Sequence, residues 1–264
     1  MNLPRIFSPL LLSLCALLTL APAVAVAAAD AGAGKVYELR TYTAAPGKMD
    51  AMVARFRDHT VKLFEKHGMV NVGYWVPAEG QPGAGEKLVY LLEYPSREAA
   101  AASWKSFGAD PQWQEARKKS EEGGRIVAKV DSVYLKATDY TKAMATGAKA
   151  GGAPRVFELR IYTAAEGKLA DLDARFRNHT VGIFEKVGMT NLGYFHPLDA
   201  DKGAGSTLIY FLAYPSREAA TGAWQKFRDD PDWVKARTAS EQNGKLAAKV
   251  DSLFLQATDF SAIK

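Results

Sequence analysis

The stretch VYELRTYTAAPGKMDAMVARFRDHT at positions 36–60 returns as VFELRIYTAAEGKLADLDARFRNHT at 156–180. Carried outward at the same offset of 120, residues 36–140 align with 156–260 without a gap, and 58 of the 105 pairs are identical. The chain therefore holds one fold unit twice in tandem, because self-similarity at a fixed period marks the building block.

Within the unit the hydrophobic period changes in a definite order. Residues 36–43 alternate as a strand, Tyr37, Leu39, Thr41 and Thr43 to one side and Val36, Glu38, Arg40 and Tyr42 to the other. Residues 48–67 then run at helical spacing through Met49, Met52, Phe56, Leu63 and Phe64 to a stop at Gly68. Two strands, 70–77 and 87–94, flank a Gly-rich connection. Ser96 caps a second helix, Asp110-Pro111 starts a third that is expected to end at Gly123 or Gly124, and 128–136 closes the unit as a strand. The order β-α-β-β-α-β is that of a ferredoxin-like α+β unit.

Such a unit carries both helices on one face of a four-stranded sheet and leaves the other bare. Each copy is the obvious cover for its neighbour. The link at 141–155, rich in Ala, Gly and Lys, spans up to about 45 Å when extended, enough for the two sheets to pack together as an intrachain pseudo-dimeric α+β barrel. The organisation read from the sequence is a leader at 1–29, repeats at 36–140 and 156–260, and a flexible linker between them.

The leader has one charge, Arg5, then an apolar run over 10–29 that contains Pro22 and ends in Ala25, Ala27 and Ala29 before Asp30. That is the pattern of a cleaved secretory signal, so the expected location is periplasmic or secreted, with no stable membrane span after processing. Cys15, the sole cysteine, lies inside it, which excludes disulfides, thiolate catalysis and cysteine-bound metal from the mature chain. The formal charge is +5, but basic and acidic residues are interleaved, as at Lys118, Lys119, Glu121 and Glu122. This is a solvated surface rather than a nucleic-acid stripe.

Several motifs together resemble the NIPSNAP family. They are Tyr37-Glu-Leu-Arg-x-Tyr42 with Gly47, Arg55-Phe-x-x-His-Thr60, His67-Gly-Met69, Gly73-Tyr-Trp75, Leu92-x-Tyr94-x-Ser96-x-Glu98, Trp104-x-x-Phe107 and Asp110-Pro-x-Trp113. Most recur in the second copy, as at Phe157–Tyr162, Gly188 with Met189, Gly193 to Phe195, Trp224 and Asp230. The resemblance implies the dimeric α+β barrel fold, whose superfamily includes cofactor-free oxygenases, isomerases and haem enzymes. It implies no common reaction for the family itself.

Glu38, Arg40 and Tyr42 stand at i, i+2 and i+4 of one strand, as do Glu158, Arg160 and Tyr162, so each set shares a sheet face. If that face lines the barrel, the carboxylate, guanidinium and phenol converge in a confined cavity. There Arg40 and Arg160 would orient an anionic ligand and Glu38 and Glu158 would move a proton. The other reading is a structural ion pair. His59 and His179, the histidines common to both copies, are read as packed side chains, general bases or haem ligands. Trp75 and its counterpart Phe195 are candidates for a cavity wall on either face. Glu93, matched by Ala213, is a candidate third member of a first-copy site. No histidine pair has zinc spacing, His196 stands alone in place of Val76, and no cofactor is implied. Three functions stay open: a binder of a small, partly apolar or anionic molecule in the barrel, a cofactor-independent oxygenase or isomerase, and an interaction scaffold. An open polar cavity favours the first two and a packed interior the third.

Overall fold

The computed structural model describes Met1 and residues 34–142 and 155–264. The expected signal segment and most of the expected linker lie outside the described residues. The first repeat runs β1 Val36–Ala44, α1 Met49–Arg55, a π-helical turn Phe56–Thr60, α2 Val61–Lys66, β2 Val70–Pro77, β3 Lys87–Tyr94, α3 Arg97–Ala109, α4 Pro111–Ser120 and β4 Val127–Ala137. The second repeats it as β5 Val156–Ala164, α5 Leu169–Arg175, a π turn Phe176–Thr180, α6 Val181–Lys186, β6 Thr190–Pro197, a 3-10 turn Ala200–Lys202, β7 Thr207–Tyr214, α7 Arg217–Asp229, α8 Pro231–Ser240 and β8 Ala247–Ala257.

Local chemistry sets the boundaries. Gly68 takes φ +77° after α2, a left-handed value that stops a helix without a Cβ penalty. The Ser96 side chain accepts from Ala99 N at 3.1 Å, and Asp110 caps α4 through Gln112 N at 2.8 Å with Pro111 in the first turn. The third helix ends at Ser120, earlier than the glycines at 123 and 124 suggested. The long first helix expected over 48–67 is interrupted by its π turn. There Thr60 Oγ1 donates to the Arg55 carbonyl at 3.1 Å, covering a backbone group that the widened turn leaves free.

Eight antiparallel strands close in the order β1-β3-β2-β8-β5-β7-β6-β4. The repeats meet edge to edge at two short seams. β2 pairs β8 through Trp75↔Ala257 and Pro77↔Leu255, and β4 pairs β6 through Leu135↔Pro197 and Ala137↔Phe195. Closure removes the free edges that two separate sheets would carry. Tyr37, Leu39, Trp75, Leu91, Phe157, Phe195 and Phe211 fill the lumen as one core, while each repeat keeps a second core between its sheet and its helices. Gly73 is required beneath Trp75, because a Cβ there would lie 2.3 Å from the indole ring. Among the described residues no helix is long and apolar enough to cross a membrane.

Candidate functional site

Strand alternation divides the sequence-derived candidates into two groups. Trp75 and Phe195 point into the lumen and are fully buried there, Trp75 stacked on Phe211 at 5.2 Å and edged by Phe157 at 5.8 Å. Glu93 stands opposite Tyr37 in the β1–β3 register and pairs with Lys35 at 2.7 Å; burial, and then Glu93, push the Tyr37 phenol up. Glu38, Arg40 and Tyr42 face the other way, under the helices. The convergence of that triad inside the barrel does not occur, and Glu93 lies across the sheet from the pair it was expected to assist. Both sheet faces are covered here, one by the opposite sheet and one by helices, so a polar face need not be the luminal one.

Beneath the helices each glutamate is a hub. Glu38 is 1% exposed. It accepts from Arg40 Nη1, from Ser132 Oγ at 2.6 Å, from Trp104 Nε1 at 2.7 Å and from Tyr94 Oη at 2.9 Å. Glu158 repeats the pattern with Arg160, Ser252, Trp224 and Tyr214 at 2.5–2.8 Å. A carboxylate offers about four acceptor positions, and all are taken. Burial, then the neighbouring Glu38, hold the Tyr94 phenol far above its ordinary value, and Glu158 does the same for Tyr214, so both stay neutral donors. Burial opposes the charge of Arg40, but Tyr90, Tyr42 and Glu38 outweigh it and keep the group cationic. Arg160 is held in the same way by Tyr210, Tyr162 and Glu158.

Each guanidinium lies on an indole face, Arg40 on Trp104 and Arg160 on Trp224, both at 4.2 Å. Both tryptophans pack at the margin of the core between sheet and helices. They are half-buried, and their indole N–H groups clamp α3 and α7 to the sheet. Arg160 forms the floor of a cleft of about 330 Å³ whose walls include Arg217, Thr221, Trp224, Arg228 and Phe254. This wall was not among the sequence-derived candidates; its trace in the sequence is the replacement of Ala101 and Gly108 by Thr221 and Arg228.

His59 and His179 are exposed on the two π turns. His179 borders a wider surface groove of about 850 Å³ between the α5–α6 segment and α8, outside the barrel wall. His67 bridges Ser106 Oγ at 3.0 Å and Asp110 at 2.7 Å, a tie between helices. His196 does not stand alone: its Nε2 lies 3.1 Å from Asp173 and its Nδ1 2.8 Å from the Thr207 carbonyl. Among the described residues no three metal-ligating side chains are gathered together.

These features define a dimeric α+β barrel made from one duplicated chain. The NIPSNAP family model matches residues 37–142 and 157–262, and the chain belongs to that family. No protein with a curated description matches the sequence. A monooxygenase-like protein from Fusobacterium nucleatum superposes with TM-score 0.54 at 10% identity, over 86% of this chain and 93% of its own. An anthrone oxidase-like protein gives 0.52 at 14% identity, over 87% and 94%. A NIPSNAP-like domain protein from Burkholderia xenovorans is 18% identical over 42% of this chain and 90% of its own, with TM-score 0.37. For the first two, at these identities, the likeness is one of fold.

Proposed function

We propose that the protein binds a small, partly apolar molecule in the cleft between sheet and helix α7, outside the barrel wall. The filled lumen alone would favour a purely structural barrel. The observation that supports a ligand is Arg160, a guanidinium only 14% exposed that floors a cleft walled by Trp224 and Phe254. The volume lies at the lower end of the range for ligand pockets. An enzymatic reading with Glu38 or Glu158 as base is less well supported, because four donors occupy each carboxylate. Native mass spectrometry of protein purified from its own source tests the proposal. A retained small molecule is expected, and Thr221→Trp, which fills the cleft from an exposed position, should abolish retention with an unchanged melting temperature. Retention undiminished in Thr221→Trp would place the ligand elsewhere.

The chain is further proposed to be exported, on the strength of its N-terminal pattern. Sequencing of the mature N-terminus should show cleavage near Ala27–Ala29. An intact Met1 in the membrane fraction would refute export.

A further inference from the structure

The cleft of the second repeat and the equivalent place in the first differ in charge. In the first repeat, Arg97 lies on the Tyr134 ring at 4.3 Å and is held by Asp199 through two hydrogen bonds of 2.7 and 2.9 Å. Arg40 is matched by Glu38, so the four groups sum to zero. In the second repeat, Arg217 lies on the Phe254 ring, and among the described residues it has no carboxylate within ion-pair distance. Glu79, which occupies the position equivalent to Asp199, is exposed and forms no ion pair among the described residues.

The connections explain the difference. After β6 the chain folds into the turn Ala200–Lys202, with the Asp199 carbonyl accepting from Lys202 N and Ala204 N, and Asp199 reaches Arg97. After β2 the chain has Pro82 instead, and Gln81 Oε1 accepts from Phe254 N at 3.1 Å. The cleft of the second repeat also gains a charge. Arg228 replaces Gly108 and, among the described residues, hydrogen-bonds only neutral Gln225, at 2.7 Å. Glu158, Arg160, Arg217 and Arg228 thus leave two positive charges in excess around one cleft of about 330 Å³. Like charges crowded on a low-dielectric wall repel one another, and a bound anion relieves that repulsion. Guanidinium forks match oxyanions bidentately, and the aromatic side chains Trp224 and Phe254 line the same cleft.

We propose that the second repeat alone is the binding site, and that its ligand is an organic oxyanion with a flat apolar body; the equivalent place in the first repeat is closed to such ligands by the Arg97–Asp199 pair. This rests on the cleft reading above and reverses the sequence expectation that the first copy is the better site.

The test uses the full chain and two probes, 8-anilinonaphthalene-1-sulfonate and its uncharged parent N-phenyl-1-naphthylamine, titrated by fluorescence. The sulfonate should bind one per chain, at least tenfold tighter than the parent, and Arg228→Gly or Arg217→Gln should each weaken it about tenfold. Benzoate should displace it better than inorganic phosphate. Asp199→Asn with Gly108→Arg should raise the stoichiometry to two; no atom lies within 4 Å of the position a Cβ would take at Gly108, so the arginine fits. Two equivalent sites in the native chain, phosphate competing as well as benzoate, or a stoichiometry still at one in the double variant would overturn the proposal. Should Thr221→Trp block binding while both arginine variants bind as before, the cleft reading survives and the anion assignment falls. No binding of either probe, or binding indifferent to all variants, removes both.

Discussion

Trp75 and Trp104 show how little burial alone says about a residue's contribution. The Trp75 indole is fully enclosed in the lumen, yet its Nε1 has no partner among the described residues. Trp104 is half-exposed, yet its Nε1 donates to the buried Glu38 carboxylate. Removing a donor from a buried acceptor costs about 1–3 kcal/mol, and more when the acceptor is charged. Trp104→Phe should therefore destabilise by at least that amount, and Trp224→Phe similarly. Trp75→Phe loses packing but also removes an unsatisfied N–H, so its loss should be the smaller. Urea denaturation of the three variants checks the ranking, and a larger loss in Trp75→Phe would contradict it. That Glu38, Arg40 and Tyr42 share a face was legible from their spacing. Which face was not, because both sides of the strand are covered and both carry mixed polar and apolar residues.

A helical period of 3.6 accommodated residues 48–67 well enough to hide one widened turn, and no glycine or proline marks it. Its companions are the bidentate pairs Arg57–Asp259 and Arg177–Asp139, at 2.6–2.9 Å, which fasten each helix to the segment leaving the other repeat's last strand. The two ends differ in one respect. Val53, Val76 and Phe260 of one end become Asp173, His196 and Tyr140 at the other. There Tyr140 Oη donates to Asp173 Oδ1 at 2.7 Å and His196 contacts Oδ2. Burial lowers the His196 pKa, but Asp173, the Thr207 carbonyl and the charge of Asp139 outweigh it, so the folded value lies above the ordinary one. The nearby cations are Arg177, paired with Asp139, and Lys136, opposite His196 in the strand register. A raised folded pKa stabilises fully below the unfolded imidazole value of about 6.5 and loses that stabilisation as pH climbs through the folded value. The melting temperature should therefore fall as pH rises through this window. The triple variant Asp173→Val, His196→Val, Tyr140→Phe, which copies the apolar end, should flatten that slope. An unchanged slope would assign the pH dependence to other groups.

For the molecule as a whole, duplication made the barrel legible, because a two-layer unit written twice must cover its bare sheet. The two seams were not legible, since edge pairing depends on how far β2 and β6 overrun their own sheets. The lumen also shows that the copies are no longer interchangeable. Tyr37 meets Phe195 at 5.0 Å, and Trp75 meets Phe157 and Phe211, so large rings of one repeat face complementary rings of the other. Leu91 and Phe211 exchange size at one position, as do Trp75 and Phe195 at another. Seven luminal side chains of the first repeat, Tyr37, Leu39, Val72, Trp75, Val89, Leu91 and Leu135, would be bared by separation. At about 1.5–3 kcal/mol each, that burial is on the order of 10–20 kcal/mol, comparable with the whole stability of a typical domain at about 5–15 kcal/mol. Neither repeat should persist as a folded monomer. Fragments 34–142 and 155–264, expressed apart, should each self-associate or aggregate. Mixed, they should form the one-to-one pair in preference to either homodimer, because a first-repeat homodimer places two Trp75 rings where the lumen holds one. Native mass spectrometry of the mixture and sedimentation velocity of each fragment decide the matter. A monodisperse folded monomer, or homodimers formed as readily as the mixed pair, would show that the lumen does not hold the repeats together in this way.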